Sequence, residues 1–203
     1  MINECVNLSL QSIFFIPIAF IKKRSYNMSV DYFANYEEIY IRRDNMVVLD
    51  VKLDNFYAFK NFHMNLTYPK KIVGSSIKEE YLPGHPNFRY KKINIIMGAN
   101  ASGKTSFGHA LMNIFNFLDK KNYETITAAI SDNSKPASFS IDMASKYNWF
   151  YTVACSISPC SGEKYRFEDI HLQIKKGIIW KNDSYESCAK RINSKNYNSS
   201  DSY

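Results

Sequence analysis

The residues best suited to chemistry lie together in one stretch, Gly98-Ala99-Asn100-Ala101-Ser102-Gly103-Lys104-Thr105, followed by Ser106. The spacing Gly-x4-Gly-Lys-Thr is that of a phosphate loop of the Walker A type. A polyphosphate needs several donors converging on its oxygens. Gly98 and Gly103 allow the backbone to turn its amide N–H groups inward. A helix beginning at the Gly-Lys pair adds the positive end of its dipole. Lys104 brings a point charge to the β- and γ-phosphates. Thr105 offers a hydroxyl to Mg²⁺, and Ser106 is placed to reach the α-phosphate. The expected ligand is ATP with Mg²⁺, held by residues 98–106, with Lys104 the candidate catalytic group and Thr105 the candidate metal ligand.

Other chemistry-bearing residues are weaker. Hydrolysis on such a loop also needs a Walker B aspartate and a group that orients water. Met46-Val47-Val48-Leu49-Asp50 has the apolar-then-Asp form. It precedes the loop and belongs to an alternating strand, so it reads as a decoy. Phe139-Ser140-Ile141-Asp142 is another alternating strand, and Glu168-Asp169 lies in a third. Whether this chain is an enzyme by itself therefore stays open. Cys155, Cys160 and His171 supply three potential zinc ligands, but without a fourth at close spacing they read as ordinary reduced thiols and a histidine. His109 reads as a solvated helix position. Phe56, Tyr57 and Phe59 serve either core packing or stacking on adenine.

The elements that must position the loop follow from periodicity. Val47, Leu49, Val51 and Leu53 alternate with polar positions, as do Phe62, Met64, Leu66 and Tyr68. Joined by 55–61, they predict an antiparallel pair with one buried face. Residues 69–90 carry Pro69, Gly74, Pro83, Gly84 and Pro86 and read as a loop or insertion. Ile93, Ile95, Ile96 and Met97 predict a short buried strand feeding the phosphate loop. Phe107, Leu111, Ile114, Phe115 and Leu118 predict a helix from Lys104 with one buried stripe. After a polar stretch at 121–136 come three alternating runs: 139–143, 149–157 and Tyr165 to Ile174. These predict an antiparallel meander, with a parity break between Phe167 and Ile170.

Three regions are expected: a peripheral extension at 1–45, a lobe at 46–180, and a polar end at 181–203 that frays or is truncated. The apolar run Ile13 to Ile21 is about half a bilayer span, and its charges at Lys22-Lys23-Arg24 follow it, so no membrane segment is expected. With 45% hydrophobic and 15% aromatic residues, the chain can build a core. A net charge of +7 suits phosphate ligands and nucleic acid, but the cations fall in scattered pairs with no stripe. Nucleic acid is therefore a possible partner without further support.

The segment Leu53-Asp54-Asn55-Phe56-Tyr57-Ala58-Phe59-Lys60-Asn61-Phe62, taken with Ile95-Ile96-Met97-Gly98 to Thr105, resembles the start of an ABC-type ATPase head. It is similar to the branch containing SMC, RecF and overcoming-lysogenization-defect ATPases. The Asn-Ala-Ser loop looks most like bacterial AAA family ATPases of phage-defence type. The likeness covers about 46–180. It implies an α/β (α+β) fold, a P-loop NTPase first lobe with a mixed sheet around the P-loop helix and an antiparallel β-subdomain. It also implies a cytoplasmic protein that acts as a homodimer or with a partner ATPase chain. The family's second lobe would carry the signature motif, Walker B and switch histidine. Here Gln173 lies in a strand, and Cys160-Ser161-Gly162-Glu163-Lys164 lies between strands where a signature loop would precede a helix. A non-catalytic nucleotide-binding module or a truncated remnant is the main alternative. A small-molecule P-loop kinase is the weaker one, because kinases of that kind continue with alternating helices and parallel strands.

Overall fold

The structure, a computed structural model, describes residues 14–15, 46–68, 77, 80–120, 122–160, 162 and 165–194. It is an α+β fold whose main sheet is antiparallel throughout, which corrects the expectation of a mixed sheet around the helix at Lys104, because the strand before that helix stays outside this sheet. Five strands lie in the order β3-β2-β7-β8-β9. They are β2 (Met46–Asp54), β3 (Phe62–Asn65), β7 (Ala137–Ser145), β8 (Trp149–Ile157) and β9 (Ile170–Ile178). Two further strand pairs stand apart: β1 (Phe14–Phe15) with β6 (Ile95–Ile96), and β4 (Tyr81–Leu82) with β5 (His85–Arg89). The helices are α1 (Lys104–Lys120), α2 (Tyr123–Thr127) and α3 (Tyr185–Ser194).

The helix stripe and the strand alternation explain the main core. Along α1, Phe107, Ala110, Leu111, Ile114 and Phe117 are buried. They join Val48, Val51 and Leu53 of β2, Phe139, Ile141 and Met143 of β7, and Val153, Cys155 and Ile157 of β8. Each fully buried aliphatic or aromatic side chain contributes about 1.5–3 kcal/mol by leaving water. Phe115 and Leu118, expected within the stripe, sit half-buried at its flank.

Among the described residues, the opposite face of the sheet is covered at one end only. Leu49, Ala144 and Phe150 pack there against Leu82 and Phe88 of the β4–β5 hairpin and Cys188 and Ile192 of α3. Successive residues of β2 face opposite sides, so Val48 serves one core and Leu49 the other, and the register shift between Val48 and Asp50 returns Val51 to the side of Val48. This corrects the reading of β2 as a strand with a single buried face.

Several other expectations change. The stretch 69–90 holds the β4–β5 hairpin, turned by Gly84 at φ 79°. The irregular stretch 121–136 holds α2, capped by Asn122, whose side chain accepts from the Glu124 amide at 3.0 Å. A 3-10 turn at Phe167–Asp169 accounts for the parity break, and β9 starts only at Ile170. The polar end from Lys181 carries α3, packed on the sheet, so this stretch is not frayed as far as Ser194. The run around β6 is not a buried strand. Ile95 is 55% exposed and Met97 71%, because β6 pairs only with β1 and takes no place in the five-stranded sheet. Of the extension 1–45, only Phe14–Phe15 is described, in register with Ile96 and Ile95. The rest of that extension, including Ile16 to Ile21, and residues 195–203 lie outside the described residues. Among the described residues, no helix is long and apolar enough to cross a membrane.

Candidate functional site

The stretch expected to be a phosphate loop, residues 98–106, runs from the end of β6 into the start of α1. Its turn is made by two left-handed residues, Ala101 at φ 62° and Gly103 at φ 88°. Glycine bears that conformation freely, whereas the methyl of Ala101 makes it costlier. The Ser102 amide donates to Ala99 O at 3.3 Å, closing the turn. A methyl on Gly98 would come within 2.6 Å of Ser102 Oγ and 3.3 Å of its Cβ, so the Ser102 hydroxyl would have to turn away.

Lys104 folds back over this turn. Its Nζ donates to Gly98 O at 2.7 Å, to Ala99 O at 2.8 Å and to Ser102 Oγ at 3.3 Å. The ammonium is thus held at the centre of the loop, where phosphate oxygens would meet it. The ladder of α1 begins with the Phe107 amide donating to Gly103 O at 2.9 Å. The amides of Lys104, Thr105 and Ser106 precede that first bond and remain available as donors. No acidic residue occupies the first turn of α1, so the dipole end keeps its positive character. Ala99, Asn100, Ala101, Ser102 and Thr105 are exposed, while Gly98, Gly103, Lys104 and Ser106 are half-buried. The site residues 98–106 are therefore brought together, with Lys104 folded over the turn and Thr105 exposed. Hydroxyl, ammonium and amides are the donor set that a magnesium-bound triphosphate requires.

The connection 55–61 buttresses this loop. Asn55, Tyr57 and Asn61 all adopt left-handed backbone, at φ 60°, 50° and 49°. Asn55 pins the connection to the segment after α2. Its Nδ2 donates to Asp132 O at 2.8 Å, and its Oδ1 accepts from the Asp132 amide at 3.0 Å. Phe59 stacks on Phe62 with ring centroids 4.8 Å apart and meets Phe107 of α1 at 6.3 Å. The same Phe59 ring lies 3.6 Å from where a Gly103 Cβ would stand, so it underlies the turn. Tyr57 Oη accepts from Asn113 Nδ2 of α1 at 3.0 Å. Phe56 is 1% exposed and belongs to the core. Phe56 and Phe59 therefore pack beneath the loop rather than presenting free faces to a base. Sequence reasoning missed the bracing role of Asn55 and Phe59; an asparagine with an aromatic four residues on, in a short connection, was its only trace.

The other candidate residues point elsewhere. Asp50 and Asp142 are register partners across β2 and β7, on the face covered by α3. Asp50 Oδ2 bonds His63 Nε2 at 2.6 Å, and Asp142 accepts from Tyr185 Oη of α3 at 2.8 Å. Burial, more than the neighbouring charges, pushes the Asp142 carboxyl up from its ordinary value. Neither carboxylate lies on the α1 face of the sheet, which fits their reading as strand positions. Glu168 and Asp169 pair with Arg166, at 2.6 and 3.9 Å. Cys155 is in the main core, and burial pushes its thiol up to about 12. His171 is exposed and pairs with Ser156, the next position along β8, so it faces the opposite side of the sheet from Cys155. Among the described residues, no cluster of His, Cys, Asp and Glu could hold a metal ion. His109 is exposed on α1.

Away from this loop, an open groove of about 710 Å³ runs across the sheet, lined by Lys52, His63, Phe62, Phe139, Ser140 and His171 among others. No family model, no curated protein and no solved structure matches this chain.

Proposed function

We propose that the chain binds ATP with Mg²⁺ on residues 98–106, as the first lobe of an ABC-type head of the AAA family ATPase kind. The observation that carries this reading is Lys104 Nζ held 2.7–2.8 Å from the Gly98 and Ala99 carbonyls, at the head of a helix with unused amides. Lys104 would exchange those carbonyls for β- and γ-phosphate oxygens, while Thr105 Oγ1 would hold the metal. A turn serving only to join a strand to a helix has no use for an inward-facing ammonium. The antiparallel meander that follows α1 favours this reading over a small-molecule kinase, whose chain would continue with alternating helices and parallel strands.

Hydrolysis requires a carboxylate on the nucleotide side, and the candidate aspartates of β2 and β7 lie on the other face. The active unit is therefore proposed to include a second lobe or a partner ATPase chain, in a cytoplasmic assembly. The exposed Ile93, Ile95 and Met97 beside the loop offer it an apolar contact. The test is turnover. This chain alone is expected to bind ATP with no phosphate release above background, and Lys104→Ala is expected to lose the binding too. Steady hydrolysis by the purified chain, abolished in Lys104→Ala, would refute the need for a completing lobe. A non-catalytic module predicts the same binding, and is distinguished by the absence of turnover with any partner ATPase chain.

A further inference from the structure

The cations scattered along the sequence are gathered, in part, around the protein's two tryptophans. Trp149 opens β8 and is the register partner of Ile178 at the end of β9. Lys176 Nζ lies 4.1 Å from the Trp149 ring centroid and 5.8 Å from that of Tyr151. In the turn before β8, Lys146 Nζ lies 4.8 Å from the Tyr147 ring. That turn is tied to the strand end by the Ile179 amide donating to Asn148 O at 2.8 Å. Just beyond, the Arg191 guanidinium of α3 stacks 3.7 Å from the centre of Trp180. Arg191 is itself fixed by Ile178 O at 2.9 Å and Asp183 Oδ2 at 2.5 Å. Yet Trp180 remains 56% exposed and Tyr147 55%.

We propose that this patch, Tyr147, Trp149 and Trp180 with Lys146, Lys176 and Arg191, binds single-stranded nucleic acid, by stacking unpaired bases on the rings and pairing phosphates with the lysines. The chemistry is complementary in both parts. Rigid aromatic faces in water gain most from a flat partner, and every base has one. The cations beside the rings match a phosphate backbone, and the Arg191–Asp183 pair holds Trp180 in place for it. A duplex hides its base faces, and an acidic polypeptide would meet the lysines but leave the rings in water.

The chain has two tryptophans, both in the patch, so fluorescence excited selectively at tryptophan reports on this surface. Twenty-mers of deoxythymidine and of uridine, titrated at low salt, are expected to quench it saturably, and the two arms distinguish DNA from RNA. Trp180→Ser is expected to weaken binding about tenfold, the loss of one stacked base. Lys176→Gln, an exposed change that spares the fold, is expected to weaken binding and lower the slope of log affinity against log salt by about 0.7. Lys104→Ala is expected to bind the oligomers as wild type does. The proposal is overturned by the absence of saturable quenching, by a duplex binding as well as the single strand, or by polyglutamate quenching where the oligomers do not. It is equally overturned if Lys176→Gln leaves affinity and salt slope unchanged.

Discussion

Replacing Phe59 with alanine tests whether the phosphate loop is held from below. Complete truncation of a buried phenylalanine costs about 3–5 kcal/mol. Phe59 is half-buried, so about half of that applies, roughly 2 kcal/mol. Its stacking on Phe62 and Phe107 is part of this loss, at about 0.5–1.5 kcal/mol for each aromatic pair. The ring also fills the space beneath Gly103, 3.6 Å from that residue's missing Cβ. Its removal lets the left-handed turn collapse inward, and Lys104 loses its fixed position over the Gly98 and Ala99 carbonyls. Urea denaturation of Phe59→Ala is therefore expected to show a loss of about 2 kcal/mol, and fluorescent-nucleotide titration an affinity about tenfold weaker. Phe59→Leu, which keeps most of the volume, is expected to recover most of both. Phe59→Ala with reduced stability but wild-type nucleotide affinity would refute the buttress, because the loop would then be holding its shape unaided.

Three further changes probe other parts of the structure. A methyl on Gly177 would stand 2.6 Å from Ile192 Cδ1, so Gly177→Ala is expected to push α3 off the sheet at a cost of about 1–3 kcal/mol in thermal or urea denaturation; an unchanged midpoint would mean that α3 does not pack there. Asn55→Ala removes the side chain that joins the 55–61 connection to Asp132 and is expected to cost about 1–3 kcal/mol, read by the same denaturation. Because burial raises the Asp142 carboxyl, the folded protein takes up that proton before the unfolded chain does as pH falls. Stability attributable to Asp142 thus rises as pH drops from above the raised value to below the ordinary 3.8; Asp142→Asn is expected to remove this dependence and be no less stable at neutral pH, and a wild-type pH profile in the variant would contradict the assignment.

The helix after the loop and the antiparallel meander were legible because each buries one continuous stripe, and a single stripe leaves a clean period in the sequence. α3 was hidden because only Cys188 and Ile192 of its ten residues are fully buried, too few to stand out from Asn, Ser and Lys. The β4–β5 hairpin was masked by Pro83, Gly84 and Pro86, which signal a turn equally well inside a hairpin or a loop. The β6 run misled in the other direction. Apolar composition predicts burial, whereas Ile95 lies in, and Met97 just after, a strand that the main sheet does not include. At the candidate site, the Gly-x4-Gly-Lys-Thr spacing predicts a turn leading into a helix, and residues 98–106 form such a turn at the head of α1. Its support by Phe59 and Asn55 depends on contacts between positions 48 and 77 residues apart, which no local pattern encodes. The patch of Trp149, Trp180 and Lys176 is likewise made by strand register and by α3, not by neighbours in sequence.

The inward-facing ammonium of Lys104 is most directly tested by calorimetric titration of the purified chain with ATP and magnesium, alongside Lys104→Ala. Saturable binding at one site per chain, weakened at least a hundredfold in the variant, is the expected result, since a charge-assisted contact to two phosphates is lost. Equal binding by both proteins, or none by folded wild type, would contradict it.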